Sequence, residues 1–185
     1  KYRLLHKLGT GRAGTVWLAV HIGLEEYRAI KRISKRDADY DTFRREALVL
    51  KELRHPGIPM IYDLEEDSEF FYLIEEYLEG YSLYALIVNQ GPIQEAEAVR
   101  YGMQVCGLVA YMHSACEIPI LHLDLQPNNL IICNGTVKLI DFDHAAGCRW
   151  ANTAPKRFGT VGCAAPEQYA SDRMLDQRTD IYAIG

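Results

Sequence analysis

The chain has 185 residues, with 20 basic against 25 acidic side chains and a formal net charge of −5. Hydrophobic residues make up 49% and charged residues 24%, ordinary globular usage that excludes disordered, collagenous and disulfide-scaffold classes. The acidic balance argues against a nucleic-acid partner, which favours a basic excess, and is compatible with a phosphorylated small molecule held by a few placed cations.

The predicted elements run in chain order as follows. From Tyr2 to about Glu76 the pattern is mostly strand-like, with β-branched and aromatic stretches at Thr15–Val20 and Tyr27–Ile33 separated by a turn at Gly23. A helix from about Tyr40 to Arg54 carries Phe43, Ala47, Leu50 and Leu53 on one face and stops at His55-Pro56-Gly57. Strands follow near Met60–Glu65 and Phe70–Glu76. The period then changes, and Ala98, Tyr101, Val105, Leu108 and Met112 mark an amphipathic helix from about Glu95 to His113. Short strands at Leu130–Cys133 and Val137–Ile140 flank a turn at Gly135. Cys106, Cys116, Cys133, Cys148 and Cys163 lack C-x-x-C spacing and mostly have apolar neighbours, so they read as small buried thiols in a reducing, cytoplasmic setting. No basic-then-apolar leader opens the sequence. The longest apolar runs, such as Leu83–Val88, fall far short of the ~20 residues that span a bilayer. No membrane contact is expected from this segment, which also suits the cytosolic part of a longer, membrane-anchored chain.

Three segments carry chemistry. Gly9-Thr10-Gly11-Arg12-Ala13-Gly14-Thr15-Val16 reads G-x-G-x-x-G-x-V, in which missing Cβ atoms let backbone amides approach a phosphate chain. The β-like residues after Gly14 exclude the dinucleotide version of this motif, which requires a helix there. Lys31 lies in an apolar strand, and Glu46 sits on the inward face of the first helix. A buried carboxylate needs a cation, for which Lys31 is the candidate. Finally, His122-Leu123-Asp124-Leu125-Gln126-Pro127-Asn128-Asn129 and Asp141-Phe142-Asp143 place Asp124, Asn129 and Asp141 on loops at strand ends. Asn129 and Asp141 are hard oxygen ligands suited to Mg²⁺ beside a nucleotide, and Asp124 is left to orient a hydroxyl and accept its proton.

With these motifs in this order, the sequence resembles the protein kinase superfamily from the glycine loop to its last residue, and its wording around Pro166-Glu167-Gln168-Tyr169 is most similar to bacterial Ser/Thr kinases of the eukaryotic type. The resemblance implies an α+β, two-lobed fold. Residues 1–76 would form an ATP-binding lobe of antiparallel sheet plus one helix, 77–80 a hinge, and 81–185 part of a mainly helical catalytic lobe. It implies that Lys31 contacts the α/β-phosphates and pairs with Glu46, that Asp124 is the base, and that Asn129 and Asp141 hold magnesium. Leu8, Gly9, Gly11, Gly14, Val16 and Ala29 would line the ATP site, with the Glu76 carbonyl and Leu78 amide on the adenine edge. Gly159–Glu167 would position a protein substrate presenting Ser or Thr. Asp180–Gly185 resembles the start of the helix that anchors the catalytic loop, and the further helices implied after it make residues 1–185 alone an expected marginal folder.

Four positions depart from the family pattern. Leu123 stands where many members have arginine, Gln126 replaces a lysine near the transferring phosphate, Asp143 replaces the glycine of D-F-G, and Glu75 takes the gatekeeper position. Without the arginine, Leu123 cannot receive a phosphorylated activation loop, whose segment 141–167 offers Arg149, Lys156 and Arg157 as basic residues. Activity is therefore expected to withstand phosphatase. Three functions stay open: an atypical, slow protein Ser/Thr kinase using Mg-ATP, a small-molecule phosphotransferase of the aminoglycoside or choline kinase kind, and a nucleotide-binding scaffold without turnover. Gly159–Glu167 favours the first.

Overall fold

The computed structural model describes all residues except 12–13, 39, 152–158 and 171–172, and all side chains of the rest except those at 42, 149 and 150. Arg12, Ala13, Lys156, Arg157 and the side chain of Arg149 therefore lie outside the described residues. The chain forms two compact units, one of residues 1–54 and 59–78, the other of 55–58 and 79–185. A contiguous division at 76 cannot express this, because His55–Ile58 groups with the second unit: the Leu139 N–H donates to the Gly57 carbonyl at 2.8 Å, and the His55 ring lies 4.9 Å from Tyr111.

The first unit is a five-stranded antiparallel sheet in the order β1-β2-β3-β5-β4. Its strands are β1 Tyr2–Thr10, β2 Thr15–His21, β3 Glu26–Ser34, β4 Ile61–Glu66 and β5 Phe70–Glu76, with α1 (Tyr40–Glu52) between β3 and β4. The helix ends two residues short of the expected Arg54, just before His55-Pro56. One sheet face buries Ile33, Phe71 and Leu73 against Phe43 and Ala47 of α1, with the Phe43 and Phe71 rings stacked at 4.8 Å. The other face buries Ala19, Ile30 and Ile74 beneath Tyr2 and Tyr72. Long cations roof that side, the Arg28 guanidinium over the Tyr62 ring at 3.9 Å and Arg32 over Phe70 at 4.5 Å.

The second unit begins with β6 (Tyr81–Ser82) and α2 (Leu83–Gln90). The Ser82 hydroxyl caps α2 by accepting the Ala85 N–H at 3.1 Å. The long helix α3 (Glu95–Ser114) buries Tyr101, Val105, Leu108, Val109 and Met112, whereas Ala98 at its first turn is exposed. The short strands β7 (Ile120–Leu121) and β10 (Ala146–Gly147) pair with each other, and β8 (Leu130–Cys133) lies between β6 and β9 (Thr136–Leu139). Asn134 and Gly135 join β8 to β9 with φ of 49° and 77°, the two left-handed positions that a two-residue hairpin turn demands and that Asn-Gly supplies at little cost. A helical turn α4 (Cys148–Ala151) and α5 (Gln177–Ile184) complete the unit. The chain is α+β, as expected.

The cysteines correct one expectation. Cys106 is exposed and the other four are only half-buried, and none of the five is in a disulfide. Their apolar sequence neighbours point inward instead, as Val105 does beside Cys106 on α3. No helix among the described residues is long and apolar enough to cross a membrane.

Candidate active site

In the first unit, the glycine motif joins the end of β1 to the start of β2, and the Gly11 N–H donates to the Gly14 carbonyl at 2.9 Å. The glycines do different jobs. A Cβ on Gly14 would lie 2.3 Å from the Arg32 carbonyl oxygen, so glycine is required there for the chain to lie against β3. Among the described residues, a Cβ on Gly9 or Gly11 would meet nothing within 4 Å. Leu8 is 42% exposed and falls at a break in the β1–β2 register.

Register places Val16 opposite Lys31 and Ala29 opposite Glu75, so Val16, Ala29, Lys31 and the half-buried Glu75 share one sheet face, the face that α1 covers. Lys31 is 6% and Glu46 4% exposed, and the ammonium donates to both carboxylate oxygens, at 3.2 and 3.1 Å. The lysine is thus buried and bonded, so its removal touches the core as well as the surface. Glu76 ends β5, where its N–H donates to the Met60 carbonyl at 2.8 Å, and Leu78 is the last residue of the unit.

In the second unit, Asp124, Gln126 and Asn129 are joined by hydrogen bonds. The Asp124 Oδ2 accepts from Gln126 Nε2 at 2.9 Å and from Asn129 Nδ2 at 3.1 Å, and its Oδ1 accepts from the Thr160 hydroxyl at 2.7 Å. Asn129 is buried with its amide nitrogen also on the Asp124 carbonyl at 2.9 Å, which leaves its side-chain oxygen as the atom able to meet a cation. The Ile140 N–H donates to the Asn129 carbonyl at 2.9 Å, bringing the start of the Asp141-Phe142-Asp143 segment beside Asn129. Asp141 has φ of 64°. Two oxygen donors from adjacent strand ends fit a hard divalent cation carrying phosphate oxygens.

Behind these residues lies a buried framework whose individual bonds the sequence does not reveal, although the resemblance places Asp180 at the start of an anchoring helix. Asp180 is 1% exposed, and its carboxylate accepts the N–H groups of His122 and Leu123, both at 2.9 Å, and contacts His113 Nε2 at 2.9 Å. Gln168 and Thr160 appear in the sequence only as members of a loop motif. Their partners lie 45 and 36 residues away, and no spacing rule reports such a bond.

His122 is fully buried, with its ring 4.9 Å from that of Phe142. Burial holds its pKa below the ordinary 6.5, partly opposed by the negative charges of Asp180, Asp141 and Asp124. The ring accepts the Asp124 N–H on Nδ1 at 3.3 Å and faces the Ile140 carbonyl through Nε2 at 3.3 Å, an arrangement that the neutral tautomer protonated on Nε2 satisfies. Because the folded pKa is depressed, this stability is complete above about 6.5 and is lost as pH falls below it, where the unfolded chain binds a proton that the folded chain refuses. Denaturation at falling pH should show this as up to ~1.4 kcal/mol per pH unit, and His122→Gln should flatten the dependence. Equal slopes for both proteins would remove His122 from the account.

Comparison with known proteins gives the family. The protein kinase domain model matches residues 2–185. Serine/threonine-protein kinase PrkC of Bacillus subtilis is 34% identical over 193 residues, covering all of this chain and 29% of its own length. Calcium-dependent protein kinase 5 of Plasmodium falciparum is 33% identical over 185 residues, 97% of this chain and 32% of its own. An Aurora kinase of Eremothecium gossypii is 33% identical over 189 residues, 96% of this chain and 49% of its own. The chain thus spans between about a third and a half of these relatives' lengths. It belongs to the protein kinase domain family.

Proposed function

We propose that this domain transfers the γ-phosphoryl group of Mg-ATP to a serine or threonine hydroxyl of a protein, and that it does so slowly. The observation that carries this reading is the Asp124 carboxylate, fixed on Oδ1 by Thr160 and on Oδ2 by Gln126 and Asn129. An acceptor hydroxyl directed at such a carboxylate is oriented for attack and has a base for its proton. Thr160 ties the loop that resembles a peptide-docking segment to that base, which favours a protein acceptor over a small alcohol. Similarity to PrkC, named a serine/threonine-protein kinase, supports the same acceptor class.

Asn129 and Asp141 would hold magnesium, which supplies charge neutralisation to the phosphates. Lys31, steadied by Glu46, would bind the α/β-phosphates, while Leu8, Gly9, Gly11, Gly14, Val16 and Ala29 line the nucleotide, and Glu76 and Leu78 meet the adenine edge. A phosphotransfer assay with radiolabelled ATP tests this: label should pass to generic protein and not to aminoglycosides or choline. Transfer to the small alcohols, or nucleotide binding without transfer, would sink the reading.

Gln126 carries the expectation of slowness. Its amide donates to Asp124, whereas a lysine there would bring a full positive charge to the transferring group. Gln126→Lys should therefore raise kcat about tenfold with little change in the KM for ATP. An unchanged chemical step in single-turnover kinetics would show that the charge is supplied elsewhere.

A further inference from the structure

Leu123 determines where Asp124 stands, and it does so from an unfavourable conformation. Its φ is 66°, in the left-handed region that a leucine rarely occupies, and its side chain is 3% exposed. Burial of the side chain does not orient the two peptide planes that meet at its Cα, and those planes are its φ and ψ. The preceding plane is held by Asp180 Oδ1, which accepts the Leu123 N–H at 2.9 Å. The following plane is held at both ends. The Leu123 carbonyl accepts from Gln168 Nε2 at 2.8 Å, and the Asp124 N–H donates to His122 Nδ1 at 3.3 Å.

Gln168 is built for this contact. It is 5% exposed, in a single 3₁₀ turn at Pro166–Gln168, and its Oε1 accepts the Ala165 N–H at 3.0 Å. That acceptor bond fixes which end of the amide faces which partner, so the NH₂ is the end presented to Leu123. A buried donor and a buried carbonyl satisfy each other between the segment after the docking-type loop and the loop that carries Asp124.

We propose that Gln168 is a positioning residue for Asp124: by holding the Leu123 carbonyl it fixes the left-handed peptide that aims the Asp124 carboxylate. With leucine at 123 in place of a cation able to receive a phosphorylated loop, the alignment of Asp124 is built into the fold by a neutral hydrogen bond. The kinetic consequence rests on the function proposed above; the structural clamp does not.

Gln168→Met keeps side-chain length and removes the hydrogen bonds to Leu123 and Ala165, and Gln168→Glu keeps an acceptor for the Ala165 N–H while its ionised carboxylate has no donor for the Leu123 carbonyl. In the whole chain, each should lower kcat ~10–100-fold while the KM for ATP stays within about threefold, because a misdirected base costs turnover and not nucleotide binding. Hydrogen–deuterium exchange should show the Asp124 amide exchanging faster in both variants, with α3 unchanged. Unaltered kcat and exchange would overturn the proposal. So would unfolding of both variants, or kcat and KM deteriorating together with faster exchange throughout α3, since each assigns Gln168 a merely structural role. A wild-type chain without phosphotransfer would defeat the function, and the exchange measurement would still decide the clamp.

Discussion

Asp124→Asn should reduce turnover by ~10²–10⁴ while leaving ATP affinity within a few-fold, the usual worth of a positioned base. The substitution is nearly isosteric, so the loop that carries it keeps its shape, but the chemistry inverts at one atom. Asp124 accepts three side-chain hydrogen bonds, from Thr160, Gln126 and Asn129. An asparagine has one acceptor oxygen; with that oxygen toward Gln126 and Asn129, its NH₂ meets the Thr160 hydroxyl, which can turn and accept, so the contacts persist while the basic oxygen is lost. The check is kcat by steady-state assay beside ATP binding by calorimetry. If binding and turnover fell together, Asp124 would be holding the site and not performing its chemistry.

Lys31→Met carries two consequences. Phosphate binding loses its cation, and transfer should fall by at least ~10²-fold if Lys31 meets the nucleotide as proposed. Its burial against Glu46 adds a cost in stability to the cost in phosphate binding. Removing one member of a buried ion pair leaves its carboxylate in the core without that counter-charge and costs about 3–5 kcal/mol. Urea unfolding of Lys31→Met should show a loss of this size, and Lys31→Met combined with Glu46→Leu should recover much of it. A single variant as stable as the wild type would mean that the core does not depend on this pair.

What was legible followed from period and spacing. Phe43, Ala47, Leu50 and Leu53 fall at helical intervals, and all are buried, so Glu46 among them had to be inward-facing and its partner on β3 could be inferred. Asp124, Asn129 and Asp141 stood out because polar residues at fixed offsets interrupt strand-like runs. Helix α2 was missed, since Leu83–Val88 is a short apolar run that periodicity cannot assign, although Ser82 offered the capping signal. The contacts of Asp180 with His122 and Leu123 were invisible for a different reason. They join a carboxylate to backbone amides, and a backbone amide has no identity in a sequence. The same holds for Gly14, whose need for hydrogen in place of a side chain is set by the Arg32 carbonyl on a neighbouring strand.

The left-handed backbone at Asp141, with φ of 64°, bears on how an inert version of this domain should be prepared for trapping a bound protein. Alanine at 141 would remove the carboxylate and also resist the backbone conformation, so any loss of partner capture would mix a missing charge with a displaced loop. Asparagine is tolerated in that region and preserves both the side-chain outline and the neutral half of its ligating ability. Asp141→Asn is thus the substitution that separates loss of the carboxylate from loss of the backbone conformation, and it is the appropriate bait.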